Sequence, residues 1–174
     1  MKKIKHYTDL GHAHFITLVI NKRRAVFLNS ETARKAIQAI EFYQKSFFIK
    51  ILGYVIMPDH VHLIVWPQGK KTLEEFVRDY KKYLAKEILQ RLTISEKTKV
   101  LLGRPQKRNH LFQIWQKGYY DFNIYNQQTL NEKLNYMHYN PVRKGLVENP
   151  EEYPYSSCRD CVGKGEVLME VDKI

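Results

Sequence analysis

The stretch Tyr54-Val55-Ile56-Met57-Pro58-Asp59-His60-Val61-His62-Leu63-Ile64-Val65 decides how the chain is read. Two apolar runs flank Pro58-Asp59. Proline fixes φ and aspartate bonds to nearby backbone, so this dipeptide marks a turn. The runs, Phe47 to Met57 and Val61 to Trp66, are rich in β-branched and aromatic residues and read as two strands. Side chains alternate across a strand, so His60 and His62 share one face with Ile64 and Trp66. Val61, Leu63 and Val65 then face the other way, toward a helix layer.

Working outward, residues 13–21 read as a first strand. Ser30 can cap a helix through about Lys45, with Ala33, Ile37, Ile40 and Tyr43 at helical spacing. Thr72-Leu73-Glu74-Glu75 is a capping box. The helix after it buries Leu73, Phe76, Val77, Tyr80, Leu84 and Ile88. Residues 93–109 form a basic connection, and a strand interrupted by Gly118 is expected between Leu111 and Tyr125. Thr129-Leu130-Asn131-Glu132 is a second capping box. Its helix should stop near Asn140, because the residue before Pro141 is pushed out of the α region. The order strand, helix, strand, strand, helix, strand, helix implies an α+β fold. A ferredoxin-like or RRM-like antiparallel sheet with helices on one face fits it. We expect one domain over residues 1–158 and a C-terminal tail over 159–174.

The chain has 174 residues, with 29 Lys and Arg against 18 Asp and Glu, a net charge of +11. Apolar residues make up 44%, which excludes a disordered basic tail. An excess of this size points to a polyanionic partner, nucleic acid ahead of an anionic membrane surface. The two cysteines, Cys158 and Cys161, are too few for a four-ligand zinc site or a disulfide scaffold. No apolar run is long enough to span a bilayer. Phe15 to Ile20 runs into Asn21-Lys22-Arg23-Arg24 rather than a cleavage site, so a cytoplasmic protein is expected.

Two imidazoles on one strand face can hold a divalent cation, provided an oxygen ligand joins them. The pattern is common, and His12-Ala13-His14 repeats it. In the last helix Leu130, Leu134 and Met137 define the buried stripe. Tyr136 and Asn140, four residues apart, lie on one flank of it; His138 lies on the other, and Tyr139 points away. The Tyr136 phenol and Asn140 amide could serve as nucleophile and metal ligand. They equally fit an ordinary surface tyrosine and a helix-ending asparagine.

Residues 54–65 resemble the HUH segment, two histidines around a hydrophobic residue, of the single-tyrosine transposases. Asn135-Tyr136-Met137-His138-Tyr139-Asn140-Pro141-Val142-Arg143-Lys144-Gly145-Leu146-Val147 resembles their tyrosine helix, in the branch called REP-associated tyrosine transposases. Pro150-Glu151-Glu152-Tyr153-Pro154-Tyr155-Ser156-Ser157 and Ile114-Trp115-Gln116-Lys117-Gly118-Tyr119-Tyr120-Asp121 are similar to that branch too. The likeness covers about residues 10–158, and two distant motifs in order are more specific than either alone. It implies an HUH pair on a central strand and a catalytic Tyr136 on a C-terminal helix. It also implies Mg²⁺ or Mn²⁺ held by His60, His62 and Asn140, with His138 a poorer third ligand. His12 and His14 have no counterpart in that metal site.

The implied reaction cleaves and rejoins single-stranded DNA near hairpins through a 5′-phosphotyrosine. The implied partner is single-stranded or hairpin DNA, bound by a monomer or homodimer, with no membrane and no small-molecule substrate. Arg23, Arg24, Lys81, Lys82, Arg104, Lys107, Arg108, Arg143 and Lys144 are candidates for backbone contact. A non-catalytic RRM-like binding module and a hydrolytic metal-dependent nuclease are the alternatives.

Overall fold

The computed structural model describes residues 11–69, 71–91, 113–163 and 167–173. Its elements follow the expected order. Strand β1 spans Ala13–Val19, helix α1 Ser30–Phe47, β2 Ile49–Met57, β3 His60–Pro67, and α2 Leu73–Arg91. Strand β4 follows at Tyr120–Ile124 and helix α3 at Gln127–His138. The strands form one antiparallel sheet in the order β2-β3-β1-β4, the ferredoxin-like arrangement. Strand β3, which carries the histidines, is central. Of the strand expected between Leu111 and Tyr125, the described part consists of a Trp115–Ile20 bridge and β4.

Local chemistry sets the helix ends. At α2 the capping box closes as expected: Glu75 N–H donates to Thr72 Oγ1 at 3.2 Å, and Thr72 N–H to Glu75 Oε2 at 2.9 Å. Helix α1 is capped one residue before the expected Ser30, because Asn29 Oδ1 accepts from Thr32 N–H at 3.0 Å. Helix α3 starts earlier than the second box predicted. Asn126 Oδ1 accepts from Thr129 N–H at 2.8 Å, while Glu132 accepts from Gln128, one turn back on the exposed face. Asn126 wins the cap because its backbone is extended at the end of β4 and Gln127 and Gln128 readily join a helix.

The sheet separates two apolar clusters. One face packs Ile16, Leu18, Tyr54, Ile56, Val61, Leu63 and Val65 against α1 and α2. The other packs Phe15, Leu52, Val55, Met57 and Ile64 against Leu130 and Met137 of α3. Helices therefore cover both faces, not one: α1 and α2 lie where expected, and the tyrosine helix lies opposite them. The apolar stripe of α3 fits this, because the histidine face presents Phe15, Leu52, Val55 and Ile64 for it to cover.

Strand β2 contains a bulge. Ile51 pairs with Val65 but Gly53 pairs with Ile64, leaving Leu52 as an extra residue. Leu52 and Gly53 therefore both turn toward α3. A Cβ on Gly53 would stand 2.6 Å from Met137 Cε and 2.7 Å from Leu134 Cδ2, so the missing side chain lets the helix approach. Ser157 adds a polar tie there. Its Oγ accepts from Tyr54 N–H at 2.9 Å and lies 3.0 Å from His138 Nε2. The described part of segment 159–174 packs on the same strand. Met169 is buried in the helix-side core, and Asp172 Oδ2 accepts from Ile51 N–H at 2.7 Å.

Candidate functional site

An open cleft of about 700 Å³ lies on the histidine face between β1, β3 and α3. His60 and His62 point into it from β3, as the strand alternation requires. Their Nε2 atoms face each other at 3.1 Å. The far side of each ring is held. His60 Nδ1 donates to Asp59 Oδ1 at 2.5 Å, and Thr17 Oγ1 lies 2.9 Å from His62 Nδ1. An ionised carboxylate can only accept, so His60 carries its proton on Nδ1 and a lone pair on Nε2. The same holds for His62 in the tautomer that donates to Thr17.

Asn140 completes the group from the other side. Helix α3 ends at His138, and a short helical turn, Asn140–Arg143, begins with Pro141 at its first positions. That change of direction buries Asn140, with its amide 2.6 Å from His62 Nε2. Half a turn of the amide would bring Oδ1 to the same place. Tyr136, one turn earlier, is 49% exposed, and its ring stands 5.9 Å from that of His62. Arg143 donates to the Tyr136 carbonyl, and its guanidinium carbon lies 4.6 Å from the Tyr136 ring centre. His138 is buried against Ser157, away from the cleft, as its helical position predicted.

Burial sets the charge states. It pulls the His62 imidazole down to about 3, helped by His60 and Arg143 nearby. Burial also lowers His60, against the opposing pull of the Asp59 carboxylate. Burial alone would raise Asp59, but hydrogen bonds from His60 and Arg23 outweigh it and hold that carboxyl below its usual range. Both histidines are thus neutral near pH 7, the state that can ligate a metal.

The residues fit a small divalent cation. Adjacent ligands of an octahedral ion, about 2.1 Å from it, are about 3.0 Å apart. The 3.1 Å between the imidazole nitrogens matches that spacing. Each ring is also oriented by a partner on its other nitrogen, as metal-binding histidines are. Among the described residues no group of three His, Cys, Asp or Glu side chains could hold a metal. An oxygen from Asn140 would be the third donor of such a set.

The basic candidates divide. Arg23 and Lys144 line the cleft, and Arg143 sits beside Tyr136. Arg23 donates to Asp59 Oδ2 at 3.1 Å from a tight turn in which Lys22 and Arg23 both hold left-handed backbone, φ 55° and 49°. Such residues cost roughly 1–2 kcal/mol each, so the surrounding structure must hold the turn in place. Asn21 N–H to Ile114 O at 2.7 Å is one of those restraints. Arg24 does not line the cleft. Lys81 and Lys82 belong to α2, on the opposite face. Lys81 donates to the carbonyls of Gln116 and Gly118, each at 3.0 Å. Arg104, Lys107 and Arg108 lie outside the described residues. His14 turns toward the helix side and contacts Asp121 Oδ1 at 3.0 Å, and His12 packs edge-on to Tyr125.

Sequence reasoning did not single out Thr17, Asp59, Lys133 or Tyr120, which also line the cleft. The adjacency of Asp59 to His60 was a usable signal. Lys133 lies three residues before Tyr136 on α3, so helical spacing could have marked it; Thr17 and Tyr120 depend on strand register and had no such signal.

The chain matches the family model described as "Transposase IS200 like" over residues 8–140. It is 23% identical to the REP-associated tyrosine transposase of Escherichia coli K12, covering 95% of this chain and 87% of that one. A Haemophilus influenzae protein with a provisional name of the same kind is 26% identical, over 92% of this chain and 86% of its own. Among solved structures, a REP-associated tyrosine transposase bound to a REP hairpin superposes with a TM-score of 0.70 at 20% identity. That match covers 100% of this chain and 99% of the other, a likeness of fold.

Proposed function

Since this chain belongs to the family of IS200-like transposases, we propose that it cleaves and rejoins single-stranded DNA beside hairpins, with Tyr136 as nucleophile. One observation carries the reading: His60, His62, Asn140 and Tyr136 converge on one cleft although their two segments lie far apart in sequence. A hairpin partner is supported by the related transposase solved with a REP hairpin.

The reaction exchanges one phosphodiester for another. The Tyr136 oxygen forms a bond to phosphorus as the bond to the 3′ oxygen breaks. The phenol proton passes to solvent, and the departing oxygen takes one up as a 3′-hydroxyl. The 5′-phosphotyrosine keeps the bond energy, so a 3′-hydroxyl can reverse the step and join strands. His60, His62 and Asn140 would hold Mg²⁺ or Mn²⁺. When bound, the ion supplies positive charge to the non-bridging phosphate oxygens. Asp59 and Thr17 fix the ring orientations that ligation needs. Arg143 holds the Tyr136 backbone and covers one side of its ring. Arg23 and Lys144 supply cations on the cleft rim for neighbouring phosphates.

The test uses end-labelled single-stranded hairpin DNA with Mn²⁺, run on a denaturing gel. Wild type should yield a protein-linked DNA band, and Tyr136→Phe should bind the hairpin without forming it. Free cleaved ends with no adduct would assign a hydrolytic nuclease instead. Binding without cleavage would assign a non-catalytic module.

A further inference from the structure

We propose that Tyr120 and Phe122 of β4, with Lys133 of α3, form a stacking shelf for unpaired bases of a DNA strand entering the cleft. The inference rests on the cleft being a DNA-cutting site and adds where the flanking bases go.

Register puts the shelf in line with the histidines. Thr17 pairs with His62 on one side and with Tyr120 on the other. The next row on the same face is Ile64, Phe15 and Phe122. Strands are 4.7–4.9 Å apart, so Tyr120 stands about 10 Å across the sheet from His62. A base attached to a phosphate at the histidines can reach it.

The composition of this row is otherwise hard to account for. Among the described residues β4 is an edge strand, where exposed aromatic residues invite unwanted pairing and are normally avoided. Tyr120 is nevertheless 49% exposed and Phe122 37%. Phe15 packs edge-on to Tyr120, ring centres 6.2 Å apart, and so steadies it from beneath. Helix α3 leaves Tyr120 open and meets Phe122 with a cation where an apolar side chain could have covered both. It sends out Lys133 instead, whose ammonium lies 4.0 Å from the Phe122 ring centre and 5.5 Å from that of Phe15.

Rings and cations together suit one ligand. A base offers a flat π-face, and its phosphate offers the anion. Arg23 and Lys144 line the same cleft, so the backbone would run between cations with its bases turned to the aromatic side. Duplex bases already stack on one another, so the shelf selects unpaired ones. Stacking tolerates any base, which makes this an element of strand-type selection, not of sequence readout.

Fluorescence anisotropy with three probes tests the assignment: a hairpin with a single-stranded tail, the same hairpin blunt, and the tailed hairpin with abasic sites in the tail. Tyr120→Ala should weaken tailed-hairpin binding about tenfold, within the range for one stacked base, and leave the blunt hairpin unchanged. Phe122→Ala should act in the same direction, and Tyr120→Phe should retain wild-type binding. The abasic tail should bind wild type as weakly as the intact tail binds Tyr120→Ala. Equal losses on tailed and blunt hairpins, or no loss, would overturn the shelf. Tighter binding of an RNA tail than a DNA tail would overturn the DNA assignment. The adduct assay separates the two readings. An adduct from wild type with shelf variants unaffected overturns the shelf alone. Tail-selective losses without any adduct support the shelf and sink the cutting reaction.

Discussion

Gly53→Ala should displace the tyrosine helix and reduce activity by more than it reduces stability. The added Cβ would meet Met137 Cε at 2.6 Å and Leu134 Cδ2 at 2.7 Å. Carbon atoms pack at about 3.5–4.0 Å, so the shortfall is roughly 1 Å. Both atoms are far ends of flexible side chains: Leu134 is partly buried and can turn outward, while Met137 is fully buried and must find another rotamer within the core. Where that rotamer change does not relieve the whole contact, the helix lifts from β2. Overpacking of this kind costs about 1–3 kcal/mol, or roughly 2–12 °C in Tm for a chain of this size. Tyr136 rides on that helix and Asn140 follows it directly, and a misplacement of about 1 Å can cost on the order of 100-fold in rate. Thermal unfolding followed by circular dichroism, with initial rates of adduct formation at 25 °C, measures both effects. Met137→Leu in the same chain, which shortens the clashing side chain, should recover part of each. Gly11→Ala, where a Cβ meets nothing within 4 Å, should change little. Unchanged Tm and unchanged adduct rate in Gly53→Ala would refute the close-approach argument.

Two further outcomes follow from the polar contacts. Thr17→Val keeps the side-chain shape but removes the oxygen beside His62 Nδ1. It should weaken Mn²⁺ binding by about 10–100-fold in titration calorimetry, and unchanged affinity would show that His62 needs no such partner. In metal-free protein, burial lowers His62 to about 3 and His138 to about 4, from an ordinary 6.5. The unfolded chain then binds more protons below pH 6.5. Stability is full above that pH, falls as pH drops toward about 4 for His138, and continues down toward about 3 for His62. The His138 contribution reaches about 3 kcal/mol at the acid end. Tm measured against pH in EDTA should show this fall, and His138→Asn should flatten it. An unaltered slope in His138→Asn would remove His138 from the account.

The fold was legible because its decisive signals are local. Alternation in residues 60–66, the turn at Pro58-Asp59 and the box at Thr72 each need only neighbours in sequence, and each stands in the structure. The four-residue spacing of Tyr136 and Asn140 likewise pointed to one site, and both line the cleft although α3 ends at His138 and Asn140 opens the next turn. What escaped depends on contacts between distant segments. The placement of α3 opposite α1 and α2 follows from which sheet face remained apolar; the Asn126 cap is the local exception, three residues from Thr129 and overlooked because Thr129 itself heads a capping-box pattern. Thr17 reaches His62 only through the β1–β3 register. Lys81 read as one more surface cation until the Gln116 and Gly118 carbonyls were seen to engage it. Charge counts carry no information about such commitments.

The extra residue at Leu52 has a consequence for how β2 tolerates change. Upstream of it, Ile49 and Ile51 face the helix-side core; downstream, Tyr54 and Ile56 do. The strand thus consists of two half-strands in opposite phase, odd then even, spliced at one position. Only the second half pairs with the histidines, Val55 opposite His62 and Met57 opposite His60. Deleting Leu52 would leave Ile49, Ile51, Tyr54 and Ile56 at alternate positions of a regular strand, each still facing the same core, and would remove only the bulge and the buried Leu52 side chain. Position 52 is therefore the one place in β2 where a residue can be lost with the pairing to β3 kept, Ile51 opposite Val65 and Gly53 opposite Ile64.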